Sequence, residues 1–147
     1  MQREFPEMPL MGVGAVILHE GRVLMVERGT EPLKGHWSIP GGLLELGESL
    51  AAGVRREVLE ETGLEVEVLD LVELLDRIHI TEDRVQYHYV IADYLCRPVG
   101  GELSAGSDAA AVRWIERSEW ITPGALLIDS ITVRVLERAW HIYREKL

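Results

Sequence analysis

Apolar residues near the start of the chain gather into two strand-length runs, residues 12–18 and 22–28, separated only by His19, Glu20 and Gly21. Two such runs joined by a turn-forming triplet predict a β-hairpin. Residues 29–36 carry no comparable run and read as a loop. From residue 50 the period changes. Leu50, Ala51, Val54 and Val58 recur at three- and four-residue spacing and so share one helical face. Ser49 suits the cap of that helix, and Gly63 suits a left-handed exit from it. Residues 64–75 then alternate Val66 and Val68 with acidic neighbours, and residues 85–96 are rich in β-branched and aromatic side chains, so both read as strands. Arg97-Pro98-Val99-Gly100-Gly101 is expected to break the second of them. Residues 112–115 form a short closing strand, and Ile128, Ile131, Val135, Ala139 and Ile142 draw an apolar stripe along a terminal helix at 128–144.

Strands mixed with one mid-chain and one terminal helix predict an α+β architecture with a mixed sheet packed between helices. The 147 residues read as one domain, 1–147, and 47% hydrophobic with 27% charged residues is ordinary for a chain with a real core. No run of about 18 apolar residues occurs and the first ten residues lack a signal-peptide pattern, so a cytoplasmic protein with no membrane partner is expected. Cys96 is the only cysteine and sits in the apolar run VIADYLC, which favours a buried small hydrophobe over a nucleophile. A formal net charge of −10 without a basic stripe argues against a nucleic-acid polymer as partner. It leaves room for a small phosphorylated ligand, because metal ions carry positive charge into an acidic pocket.

The predicted helix concentrates the chemistry. Glu57, Glu60 and Glu61 share one of its faces, and carboxylates three and four residues apart repel one another by a few tenths of a kcal/mol per pair, to order of magnitude. Arg56 can reach Glu60 one turn on, or Glu48 at the start of the helix, yet one guanidinium cannot neutralise so many carboxylates. A hard divalent cation with oxygen ligands can, Mg2+ being the usual case when phosphates are also present. Upstream, Trp37-Ser38-Ile39-Pro40-Gly41-Gly42 pins a short extended piece and follows it with paired glycines, where bare backbone can approach a ligand.

Residues 42–64 read GLLELGESLAAGVRREVLEETGL and match Gly-x5-Glu-x7-Arg-Glu-hydrophobic-x-Glu-Glu-x-Gly-hydrophobic at every position. In this the chain resembles the Nudix hydrolases. The resemblance implies an α/β/α sandwich and a metal shell formed by the carbonyl of Gly41 with Glu57, Glu60 and Glu61. It also implies that Arg56 and Glu48 orient that shell, that Glu57 is the general base, and that Mg2+ is the cofactor, with Mn2+ as a substitute. The activity implied is metal-dependent hydrolysis of a nucleoside diphosphate linked to another moiety.

ADP-ribose or a related nucleoside diphosphate sugar is the substrate expected, with nucleoside triphosphates as the alternative and a non-catalytic nucleotide sensor as a further one. The few basic side chains near the motif, Arg28, Lys34, Arg55 and Arg56, suit a diphosphate better than a triphosphate. Arg28 is a candidate phosphate contact, Trp37 a candidate wall of the base pocket, and Tyr87 or Tyr89 a candidate stacking platform, with Tyr94 on the opposite strand face. Related proteins often carry a glutamate shortly before the Arg113-Trp114 strand; alanine stands there in this chain, with Asp108 as the nearest carboxylate. The base is therefore expected from the motif itself, through Glu57. A C2 homodimer, using the tyrosine-bearing strand and the terminal helix, completes the expectations.

Overall fold

The computed structural model describes residues 2–30 and 33–145. The strands are β1 (Leu10–His19), β2 (Arg22–Arg28), β3 (Trp37–Ser38), β4 (Gly41–Leu43), β5 (Leu64–Thr81), β6 (Arg84–Gly101) and β7 (Ala109–Glu116), and the helices are α1 (Leu50–Thr62), α2 (Arg117–Ile121) and α3 (Ser130–Glu145). The main sheet runs β3-β2-β1-β6-β5, with β4 paired to β1 and β7 to β2. Among the described residues only β1 and β6 are parallel to one another, in register from Leu10 opposite Tyr89 to Ile17 opposite Cys96. The sheet is therefore mixed, as expected.

Alternation along β1 divides the interior into two cores. Val16 and Leu18 face one side, where Val23, Met25, Leu95 and Ile115 meet Val135, Leu136 and Ala139 of α3. Val13, Ala15 and Ile17 face the other, against Leu24, Cys96 and Val54 and Val58 of α1. Helices on both faces of one sheet make the α/β/α sandwich. Cys96 is fully buried, and burial pushes its thiol up to about 12, which removes the thiolate a nucleophile needs. Among the described residues no helix is long and apolar enough to cross a membrane.

The hairpin expected at the N-terminus forms, closed by Glu20 and Gly21 at φ 52° and 77°. Its two strands pair directly only at Leu18 with Val23 and His19 with Arg22. The N-terminal half of β1 takes β4 instead, aligning Gly12, Val13 and Gly14 with Leu43, Gly42 and Gly41. That exchange carries the chain from β4 straight towards α1. Residues 29–36 hold no strand or helix where they are described; Glu31 and Pro32 lie outside the described residues.

Two expectations need correction. Residues 97–101 do not break β6, which runs through Pro98 to Gly101 opposite Leu64. Pro98 lies past Cys96, where the pairing with β1 ends, and beside the β5–β6 register shift at Glu65/Val66, an edge and irregular position of the kind that tolerates proline. Both strands also extend past the expected limits of residues 75 and 85 to a turn at Glu82 and Asp83, each at positive φ. The added segment mixes Asp76, Arg77 and His79 with exposed Ile78 and Ile80, so burial gives it little alternation to read.

Gly63 closes α1 at φ 76°, with its N–H bonded to the Leu59 carbonyl at 3.0 Å. A Cβ there would lie 2.2 Å from the Glu102 carbonyl oxygen, which is backbone of the neighbouring segment. Gly63→Ala is expected to cost about 2 kcal/mol or more and to lower Tm by about 5 °C or more, as measured by thermal unfolding. A Tm unchanged within about 1 °C would contradict the close approach.

Candidate active site

α1 starts where Ser49 Oγ accepts the Ala52 N–H at 3.1 Å, the cap expected from the sequence. It buries Gly53, Val54, Val58 and Thr62 against the sheet and turns its acidic face outward. Of the expected apolar stripe, Val54 and Val58 are core, Leu50 is packed at its edge, and Ala51 is only partly covered. Gly53 takes the remaining buried place. A Cβ on it would stand 2.8 Å from Leu44 Cδ1 and 3.0 Å from Glu48 Oε1. Glycine inside a helix costs roughly 0.5–1 kcal/mol relative to alanine, and here it lets the preceding loop lie directly on the helix.

Arg56 ties that loop down. Its Nε and Nη2 donate to the two carboxylate oxygens of Glu48 at 2.7 and 2.9 Å, and Nη2 also donates to the Leu43 carbonyl at 3.0 Å. Nη1 donates to Glu57 at 2.8 Å and to Glu60 at 3.3 Å, and Glu45 completes the ring at 3.6 Å. The bidentate Arg56–Glu48 pair is the strong form of such a contact. The hydrogen bond from Arg56, aided by the Glu45 N–H, holds the Glu48 carboxyl at about 2, well below its ordinary 4.5. Arg56 is raised in return, first by Glu48 and, after an opposing effect of burial, by Glu57.

The glycines before α1 make room for the carboxylates. Gly42 lies against Glu57, and a Cβ on it would stand 2.5 Å from the Glu57 carboxyl carbon. Gly41 packs on β1, where a Cβ would meet the Val13 carbonyl at 2.3 Å, and its N–H donates to Glu61 Oε2 at 3.4 Å. Glu61 is half-buried beside Gly41, whereas Glu60 is exposed. Burial pushes it up to about 7; the Gly41 N–H opposes this, while Glu57, Asp108 and Glu60 add repulsion.

Asp108 is thus brought close to Glu61, although the sequence left its place open. The segment before β7 folds over the C-terminal end of α1, where the Ser104 and Gly106 N–H groups bond to the Thr62 and Glu61 carbonyls, both at 2.9 Å. These bonds satisfy helix-end acceptors that would otherwise need water. Gly29 N–H then donates to the Asp108 carbonyl at 3.3 Å, setting the end of β2 beside the same loop.

The other expected contacts divide. Arg28 is exposed at the end of β2, close enough to Tyr87 to act on it electrostatically. Tyr87 and Tyr89 are half-buried and stack on one another, centroids 6.2 Å apart at 13°, while Tyr94 packs in the α1-side core. Arg28 and Tyr87 are therefore neighbours, and the next residue, Gly29, joins the end of β2 to the Asp108 loop. Trp37 does not join them. It is 9% exposed in the α3-side core, with the Arg113 guanidinium 5.7 Å from its ring, and its N–H donates to the Leu127 carbonyl. Ile39 packs against the same core, so alternation from the buried strand below fixes this orientation.

The acidic face of α1 opens onto a cleft of about 450 Å³ bordered by Arg3, Leu43, Glu45, Arg56, Glu57 and Glu60. Among the described residues no three acidic, imidazole or thiol groups are drawn close enough to hold a metal ion as they stand. The donor set nevertheless fits a hard divalent cation. Glu57, Glu60 and Glu61 supply only oxygen, and positive charge offsets both the burial that chiefly raises Glu61 and the repulsion that adds to it.

The NUDIX domain family matches residues 8–138. A protein of Methanocaldococcus jannaschii described as ADP-ribose pyrophosphatase is 33% identical over 109 residues, covering 74% of this chain and 62% of that protein. A MutT-like protein of Streptomyces ambofaciens is 36% identical over 106 residues, covering 72% and 62%. This chain thus aligns with about three fifths of the length of these relatives. Among solved structures, a MutT NUDIX hydrolase from Burkholderia pseudomallei superposes with TM-score 0.76 at 29% identity, covering 90% of this chain and 98% of that one.

The raised Glu61 has a testable sign. With a folded value of about 7 against an ordinary 4.5, the folded protein holds more protons in that window, so the stability Glu61 contributes is present below about 4.5 and lost as pH rises to about 7. Glutamine mimics the protonated acid. In EDTA, the Tm of Glu61→Gln relative to the unmutated protein is expected to increase between pH 4.5 and 7 and to level off above; a difference independent of pH would contradict the burial of this carboxylate.

Proposed function

Because this chain belongs to the Nudix hydrolase family, we propose that it is a metal-dependent pyrophosphohydrolase whose substrate is ADP-ribose or a related nucleoside diphosphate sugar. The observation that carries the reading is the cleft in which Arg56 gathers Glu48, Glu57 and Glu60 beside the enclosed Glu61. A structural or purely binding role gives no reason to assemble like charges at this density.

Glu57, Glu60 and Glu61 would hold the cation, Mg2+ or Mn2+ by the oxygen chemistry of the donors. When bound, it supplies positive charge against the oxygens of the diphosphate as negative charge builds during displacement. Glu57 accepts the proton of the attacking water; with 13% of its side chain exposed, it is covered enough to be held in place yet open to the cleft. Arg56 keeps Glu57 aimed through its 2.8 Å hydrogen bond, and Glu48, held at about 2, stays charged at any physiological pH and anchors Arg56. Water attack on one phosphorus and departure of the other phosphate yields a nucleoside monophosphate and a sugar phosphate.

Two features support the diphosphate substrate. The Methanocaldococcus jannaschii relative carries the name of that activity. The described border of the cleft includes two arginines, of which Arg56 is already committed to carboxylates. A triphosphate demands more cationic partners than this border provides. The test is kcat/KM for ADP-ribose against the common nucleoside and deoxynucleoside triphosphates, in Mg2+ and in EDTA. ADP-ribose is expected to lead, with no turnover in EDTA; a triphosphate ahead by about tenfold, near 1.4 kcal/mol, would assign the cleft to triphosphates instead.

The same assay separates the two carboxylates able to serve as base. Glu57→Gln is expected to lose a factor of about 100 or more in kcat, and Asp108→Asn less than about tenfold. The reverse order would move the base to Asp108.

A further inference from the structure

The proposed reaction uses residues of the family domain, but one wall of the cleft comes from outside it. Arg3 precedes the matched segment and borders the cleft with Arg56, Glu57 and Glu60. Its position is built. Phe5 has φ 50°, a left-handed conformation that is an outlier for a bulky side chain and persists only where its surroundings enforce it. The surroundings are explicit. Phe5 N–H donates to the Gln86 carbonyl at 2.8 Å, and the Arg84 guanidinium sits 4.1 Å from the centre of the Phe5 ring. The Glu4 carboxylate accepts from Gln86 Nε2 at 2.8 Å and from the Tyr87 hydroxyl at 3.4 Å, and Gln2 Nε2 closes the bend on the Glu4 carbonyl at 2.8 Å. The tip of the β5–β6 hairpin thus clasps Glu4 and Phe5, directly after Arg3, and Gln2 folds back on the same two residues.

The charges around it give the clasp a purpose. Arg56 is saturated by carboxylates, whereas Arg3 has no ion-pair partner among the described residues although Glu45, Glu57 and Glu60 border the same cleft. An exposed guanidinium held at the mouth of an acidic cleft, and not spent on that acid, is placed for an anion that arrives from solvent. Its planar fork suits two oxygens of one phosphate. We propose that Arg3 binds a phosphate of the substrate, so that the N-terminal segment completes the substrate site. This rests on the pyrophosphohydrolase reading. Arg3 would act on binding more than on the chemical step, because it makes no hydrogen bond or ion pair with the proposed base Glu57.

The experiment compares Arg3→Ala and Arg3→Lys with Arg144→Ala, which removes the same charge from the far end of α3. Arg3→Ala is expected to raise KM about tenfold with kcat within about twofold, Arg3→Lys to recover part of the loss, and Arg144→Ala to match the unmutated protein. Calorimetric titration of each protein with magnesium pyrophosphate is expected to show the same tenfold weakening in Arg3→Ala alone. If no nucleotide is hydrolysed by the unmutated protein, the functional reading falls while the pyrophosphate titration still decides the role of Arg3. If Arg3→Ala and Arg144→Ala bind pyrophosphate equally, and share one KM wherever turnover is seen, the assignment of Arg3 is overturned.

Discussion

The Arg56 guanidinium is the constraint on which the site depends. Three glutamates within five residues of one helix repel one another, and Glu48 adds a fourth carboxylate from the loop before it. Arg56 meets Glu48 with two hydrogen bonds, Glu57 with one and Glu60 with two longer ones, and spends another on the Leu43 carbonyl. It fixes both the loop and the direction of the carboxylates in one move. Lysine, with a point charge and no planar fork, could not hold the two Glu48 oxygens and the backbone together. Glu61 lies beyond these hydrogen bonds, takes only the Gly41 N–H, and is accordingly the carboxylate that burial drives upward.

Around this pivot the fold supplies proximity. β1 divides its edge between β2 and β4, which brings Gly41 and Gly42 alongside the sheet and against Glu57 and Glu61. Gly53 lets the loop rest on the helix, and Gly106 lets the segment bearing Asp108 cross its C-terminal end, where a Cβ would stand 2.6 Å from the Glu60 carbonyl. The glycines serve mainly as absent side chains. Each one permits a charged or backbone group to come nearer than alanine would allow.

How much of this could be read in advance follows from the range of the interactions. α1 was legible almost to the residue, because Ser49, the apolar spacing and Gly63 are local signals that tertiary packing did not override. The clustering of Glu57, Glu60 and Glu61 near Arg56 followed from helical geometry alone. The parallel pairing of β1 with β6 was not legible, since it joins segments some eighty residues apart without a local mark. Pro98 read as a terminator because its tolerance depends on where β1 ends and where the β5–β6 register slips. Trp37 stayed open between packing and a pocket wall because an aromatic before Pro40 signals both, and only the sheet decides which way it faces. Asp108 and Arg3 reach the site through chain folds held by backbone bonds, which composition does not encode.

The central claim is that the carboxylates gathered by Arg56 form a cation site. Anomalous scattering from crystals grown with Mn2+ tests it most directly, because it locates the ion without reference to activity. The account predicts an anomalous peak in the cleft beside α1, at about 2 Å from carboxylate oxygens of Glu57 and Glu61. A fully occupied peak elsewhere, with Glu57 and Glu61 left without the ion, would contradict it.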